Sequence, residues 1–170
     1  MSTTARNVTK GCSEGIPTSV ATLAALDDLK SDTFAVFCYA DVRPLRGAAG
    51  VVDWRLCGAL SASIEGQAFA GARGEVMLMP TSGRLGKCRV FVFGLGQAKD
   101  VGEQQLKTAC DDAKSVLQRA GIQRAVIVAP KAATDEGKQS DFVRLLGASV
   151  AGASAWIDTI LIGAGDSNLG

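Results

Sequence analysis

The chain has 170 residues, 47% of them hydrophobic, with Lys+Arg 18 against Asp+Glu 17. That is enough apolar material for one domain with its own core, and the near-neutral balance speaks against a dedicated nucleic-acid binder, which carries a basic excess. Histidine is absent, which removes the commonest metal ligand and the commonest general base at neutral pH; the five cysteines form no C-x-x-C pair, so neither a zinc knuckle nor a redox dithiol is expected.

Residues 1–16 are polar with little periodicity; a short strand over Ala5–Thr9 followed by a loose segment is the expectation. The start, Met1 to Lys10, lacks the apolar core of a secretory signal, and the uncharged run nearest the end is too short for a bilayer. A soluble protein of the reducing cytoplasm, without a membrane partner, is expected. Pro17 suits the first turn of a helix that presents Val20, Leu23, Ala24 and Asp27 and ends near Lys30. Thr33 to Tyr39 is β-branched and aromatic, hence a buried strand. It leads into Leu45-Arg46-Gly47-Ala48-Ala49-Gly50-Val51, and Val52, Leu56, Ala59 and Leu60 then fall on one helical face, so a single helix is expected up to residue 60.

Glu65 to Gly74 is glycine-rich and reads as a loop or hairpin arm around Phe69. Glu75 to Met79 is a strand stopped by Pro80, and Thr81 to Gly86 is a turn. Lys87 to Phe93 is a strand ending in the tight turn Gly94-Leu95-Gly96. Glu103 to Ala120 is the clearest helix, with Leu106, Cys110, Ala113 and Leu117 on one face and Gly121 as its stop. Ala125 to Ala129 is a short strand. Thr134 can cap a helix carrying Phe142, Leu145, Leu146, Ser149 and Ala153, and Ile157 to Ile162 is the last strand. Strands alternating with helices imply a three-layer α/β/α sandwich with a mixed, mostly parallel sheet. One domain is expected over 1–170, with its core at about 17–162 and loose ends over 1–16 and 163–170.

Two loops carry any chemistry. Arg46, Gly47, Ala48, Ala49, Gly50 and Val51 open a helix whose positive end and converging N–H groups suit an anion, and Gly94, Leu95 and Gly96 are a second such turn. The same residues equally suit a tight turn and close helix–sheet packing, and the residues alone leave both readings open. Arg84, Lys87 and Arg89 form a basic cluster that is either a solvated loop or a phosphate contact. Trp54 and Trp156 read as core or interface anchors, an exposed Trp54 pointing to a partner surface. Asp41 and Asp53 lie near the first loop without forming a recognisable acid–base pair.

The ordered set of Leu45-Arg46-Gly47-Ala48-Ala49-Gly50-Val51-Val52-Asp53, then Gly74-Glu75 leading to Met79-Pro80-Thr81, then Val90-Phe91-Val92-Phe93-Gly94-Leu95-Gly96, resembles the N-terminal domain of the leucine aminopeptidase family of metallopeptidases. The resemblance runs over residues 17–162. In that family the two-metal chemistry belongs to a separate C-terminal domain, so no catalytic residue, metal ligand or cofactor carries over. The resemblance implies a free-standing relative of the non-catalytic half, which helps build the family's hexamer and in some members takes regulatory or DNA-binding roles. The partner expected is a second copy of the chain or a separate peptidase subunit.

That domain is in turn similar to macro domains, which bind ADP-ribose through a glycine-rich loop opening a helix; Gly47 to Val51 corresponds to it in position. This implies the alternative of a macro-domain-like module for ADP-ribose or another nucleotide, held between the 46–50 and 94–96 loops. Asp41 stands near where macro domains place an asparagine. Both Asp41 and Asp53 would oppose a pyrophosphate unless they point away.

Overall fold

The computed structural model describes residues 16–131, 142–146 and 156–163. Among them, six strands form one sheet in the order β1-β6-β5-β2-β4-β3. In chain order these are β1 (Thr18–Val20), β2 (Thr33–Cys38), β3 (Val76–Met79), β4 (Arg89–Gly94), β5 (Ala125–Val128) and β6 (Ile157–Ile162). All neighbours run parallel except β3, which is antiparallel to β4 at the sheet edge.

The central strands read as unbroken apolar runs because both of their faces are covered. All six residues of β2 and all four of β5 are buried. The two-residue period then sorts the side chains. Phe34, Val36, Cys38, Val90, Val92, Val126 and Val128 fill one side; Ala35, Phe37, Tyr39, Phe91, Phe93 and Ile127 fill the other. On the second side Phe37 lies beside Phe93 in register, their rings stacked 5.2 Å apart, and Phe142 meets Phe37 edge-on at 5.0 Å.

Helices cover both faces, giving the expected three-layer sandwich with a mixed, mostly parallel sheet. The first side is covered by α1 (Leu23–Asp28), α2 (Gly47–Arg55) and α3 (Ala59–Glu65), through Leu26, Ala48, Ala49, Val52, Leu56 and Leu60. The second is covered by α4 (Glu103–Arg119), through Leu106, Cys110, Ala113 and Leu117, and by the helical residues 142–146. The spacing of those α4 residues is one apolar stripe of a 3.6-residue period.

Three expectations are corrected. The stretch after Pro17 is a strand, not the start of a helix. The β-branched Thr18 and Val20 belong to β1, which lies against β6, and α1 begins only after Thr22, whose Oγ1 accepts the Ala25 N–H at 3.0 Å. The single helix expected up to residue 60 is two. Cys57 (φ 57°) and Gly58 (φ 78°) take left-handed backbone, and α3 starts afresh at Ala59. That second helix runs to Glu65, so the loop expected from 65 begins one residue later, at Gly66, with Phe69 fully buried within it. The strand expected at 5–9, the Thr134 cap and positions Ser149 and Ala153 lie outside the described residues.

Candidate functional site

The chain leaves β2 towards one face, into α2, and leaves β4 towards the other, into α4. Such a divergence opens a crevice beyond the carboxyl ends of the strands, the usual place for a ligand in an α/β sheet. Both loops singled out from the sequence lie at this end of the sheet. They meet different neighbours there.

Arg46 is the exposed residue before α2, and Gly47 follows in left-handed backbone at φ 59°. A Cβ on Gly47 would lie 2.9 Å from Cβ of Lys131, just beyond β5. A Cβ on Gly163, just beyond β6, would lie 2.6 Å from Cα of Gly47. The chain after β2 and the chain after β6 thus touch backbone to backbone. Gly50 is equally tight, since a Cβ there would meet the Leu45 carbonyl oxygen at 2.7 Å. Ala48 and Ala49 turn their methyls into the core, and Val51 is half-buried on the outer side.

Gly94, Leu95 and Gly96 knit β4 to what lies around it. Their N–H groups donate to the carbonyls of Glu75 (2.9 Å), Cys38 (3.0 Å) and Gly71 (2.9 Å), and the Gly96 carbonyl accepts from Ala40 N–H at 2.8 Å. With all three donors bonded to main chain, this turn has none left to offer a phosphate. A Cβ on Gly94 would run into the Ala72 carbonyl oxygen, with the Gly71 carbonyl carbon at 2.6 Å.

The carboxylates near these loops are occupied as caps. Asp53 is buried; its Oδ1 accepts from the N–H groups of Leu60 (2.9 Å) and Ser61 (3.1 Å), and its Oδ2 from Ser61 Oγ (2.6 Å). One side chain on α2 therefore caps the start of α3. Asp41 accepts from Ala98 N–H at 2.8 Å, at the head of the 3-10 turn Ala98–Asp100. Glu75, not singled out from the sequence, binds the N–H groups of Ala70 and Ala72 with distances of 3.0–3.1 Å. Asp41 and Asp53 hold separate turns and form no pair.

The thiols inside the sandwich are inert. Burial pushes both Cys38 and Cys110 up to about 12, so each stays protonated at neutral pH. Cys57 is exposed. Among the described residues no group of three or more His, Cys, Asp or Glu is placed to hold a metal ion, and no helix is long and apolar enough to cross a membrane.

At the opposite end of the sheet a polar hollow of about 430 Å³ is lined by Lys30, Arg89 and Arg124 together with Asp32 and Asp158. Arg89 pairs with Asp32 at 3.7 Å and Arg124 with Asp158, so the charges there offset one another. Arg84 and Lys87 are exposed.

Among the described residues the exposed large hydrophobic side chains are Trp54 (68%), Leu78 (57%) and Val76 (39%). Trp54 stands on the outer side of α2 beside an open hollow of about 430 Å³, lined also by Leu23, Leu45, Val51, Gly47 and Gly50. The i, i+3 spacing of Val51 and Trp54 was the signal in the sequence for this second stripe, on the side of α2 away from the core.

Comparison with known proteins gives one consistent result. A family model described as the cytosol aminopeptidase family, N-terminal domain, matches residues 35–156. A probable cytosol aminopeptidase of Pseudomonas syringae pv. tomato is 33% identical over 101 residues, which is 59% of this chain and 20% of that protein. One from Alkaliphilus oremlandii is 22% identical over 118 residues, 69% of this chain and 23% of that protein. Among solved structures, a mutant tomato leucine aminopeptidase superposes with a TM-score of 0.57 at 11% identity, over 86% of this chain and 31% of that one, a likeness of fold. The chain thus spans about a fifth of the length of the curated relatives it matches.

Proposed function

This chain belongs to the cytosol aminopeptidase family through its N-terminal domain, and from that premise we propose that it is a cytoplasmic, non-catalytic assembly module, joining a second copy of itself or a peptidase subunit. The observation that carries this reading is Trp54, a large apolar ring 68% exposed on a helix whose other side is core. Leaving an indole in water forfeits the burial that stabilises other residues of its size, and tryptophan is the side chain most enriched where partners dock.

The remainder of the molecule supports the same reading. The carboxylates Asp41, Asp53 and Glu75 hold turns and helix starts, and the glycines at 47, 50 and 94 allow main chain to approach main chain. These groups serve the fold rather than a substrate. The names of the relatives, cytosol aminopeptidases, fit a cytoplasmic setting.

Sedimentation velocity tests the proposal. The purified chain is run alone across a concentration series, and again with a full-length cytosol aminopeptidase. A species heavier than the monomer is expected in at least one arm, with no release of product from an amino-acid amide by the chain alone when divalent cation is added. A monomer in both arms, or hydrolysis by the chain alone, overturns it.

A further inference from the structure

We infer that β3 pairs edge to edge with β3 of a second copy of this chain, antiparallel about a two-fold axis through Met77. The inference rests on the assembly reading above and adds a contact separate from Trp54. Among the described residues β3 is the last strand on its side of the sheet, with β4 as its one neighbour. The open main chain of an edge strand suits one kind of occupant, a further strand.

The groups it offers follow from the hydrogen bonds on its inner side. At the end of β4, Gly94 N–H donates to the Glu75 carbonyl (2.9 Å) and Leu95 N–H to the Cys38 carbonyl (3.0 Å), so successive residues turn to opposite neighbours. By that alternation Val92 and Val90 face β3, where Met77 and Met79 lie opposite them in register. Met77 and Met79 therefore bond to β4, and the main-chain N–H and C=O groups of Val76 and Leu78 point outward. The next residue turned outward is Pro80, which has no N–H, and at the other end Gly74 N–H already donates to the Gly94 carbonyl at 3.3 Å.

Two such residues, with one between them, are their own complement. With the axis at Met77, Val76 of each copy lies opposite Leu78 of the other, and each pair exchanges both main-chain bonds. Sliding the register by two residues sets Leu78 against Gly74 or Val76 against Pro80 and loses bonds. The side chains agree with the same register. Val76 and Leu78 stand exposed on the face of Phe93 and Phe91, and there they meet each other across the axis, while Met77 meets Met77 on the other face. Val76–Met79 carries no charge, the usual guard of an edge. Glu75 comes opposite Met79, not its own copy, and its carboxylate is held by the N–H groups of Ala70 and Ala72. The net charge of the whole chain is only +1, so two copies approach without strong repulsion.

Met77→Cys reads the register directly, because Cα atoms of a directly opposed pair without mutual main-chain bonds lie about 4.5 Å apart, within disulfide reach. In a Cys57→Ser background, diamide is expected to link Met77→Cys chains into dimers and to leave Val76→Cys chains and the background itself monomeric. A strand of four residues makes a small contact, so sedimentation velocity is run up to about 1 mM. There Leu78→Lys is expected to weaken self-association about 10-fold or more, and Trp54→Asp to leave the β3 contact in place. The circular dichroism of Leu78→Lys should match the parent, since that side chain already faces water. Linking of Val76→Cys equal to that of Met77→Cys, or self-association undiminished in Leu78→Lys, overturns the β3 contact and leaves the assembly reading standing. So does a chain that is monomeric alone but binds a full-length peptidase. A monomer in both settings overturns both.

Discussion

The carboxylate of Asp53 holds three donors in a buried place, and this sets how the first face of the sandwich is built. Its bonds to the N–H groups of Leu60 and Ser61 let the chain stop one helix, turn through Cys57 and Gly58, and start another. Asp53→Ala leaves those groups without their acceptor and is expected to cost about 2–3 kcal/mol in chemical denaturation. Asp53→Asn keeps an acceptor oxygen in place and should cost about half as much. The cysteines divide along similar physical lines. At pH 8 a thiol reagent should label Cys57 in the native protein and reach Cys38 and Cys110 only on unfolding. Their folded values of about 12 stand above the ordinary thiol value of 9.0, so protonated thiols are part of the native state. Their contribution is intact below pH 9.0 and falls away as pH climbs from there towards 12, because the unfolded chain releases those protons first. A denaturation midpoint that stayed level across that alkaline range would contradict their burial.

The elements differ in how openly the sequence announces them. β2, β4, β5 and α4 were legible because each carries a period of its own: unbroken apolar runs for strands covered on both faces, and a 3.6-residue stripe for the helix. β1 was not, since three residues with Pro17 before them resemble a helix start, and only pairing with β6 makes them a strand. The break at Cys57-Gly58 was hidden because Val52, Leu56 and Leu60 remain on the core side through it, so the apolar spacing shows no gap. Glycine at 94 has a different importance from glycine in an open turn. Gly94→Ala drives a methyl into the Ala72 carbonyl and is expected to cost about 3 kcal/mol or prevent folding. Gly83→Ala meets nothing within 4 Å and bears only the left-handed backbone at φ 76°, a cost of about 1 kcal/mol. Thermal melts of the two variants side by side give the comparison, and equal losses would contradict the packing assigned to the 94–96 turn.

At the scale of the whole molecule, the α/β/α sandwich and its family were legible from the order of the motifs. The candidate site was legible in part. The residues at 46–51 and 94–96 were found, and an exposed Trp54 was weighed as a partner surface. Which main-chain donors are already bonded depends on chain segments far apart in sequence, such as Leu95 against Cys38, and no local pattern encodes that. The result is a scaffold whose glycine turns and carboxylates hold it together and whose α2 carries an exposed Trp54 on its outer side.

Hydrogen–deuterium exchange of the purified chain, at concentrations below and above the onset of association, tests that division most directly. Slower exchange is expected in peptides spanning 45–58 on association, with the rates over 90–98 unchanged because the N–H groups of that turn are bonded in either state. Association that leaves 45–58 exchanging as before, or that brings new protection to 90–98, would contradict it.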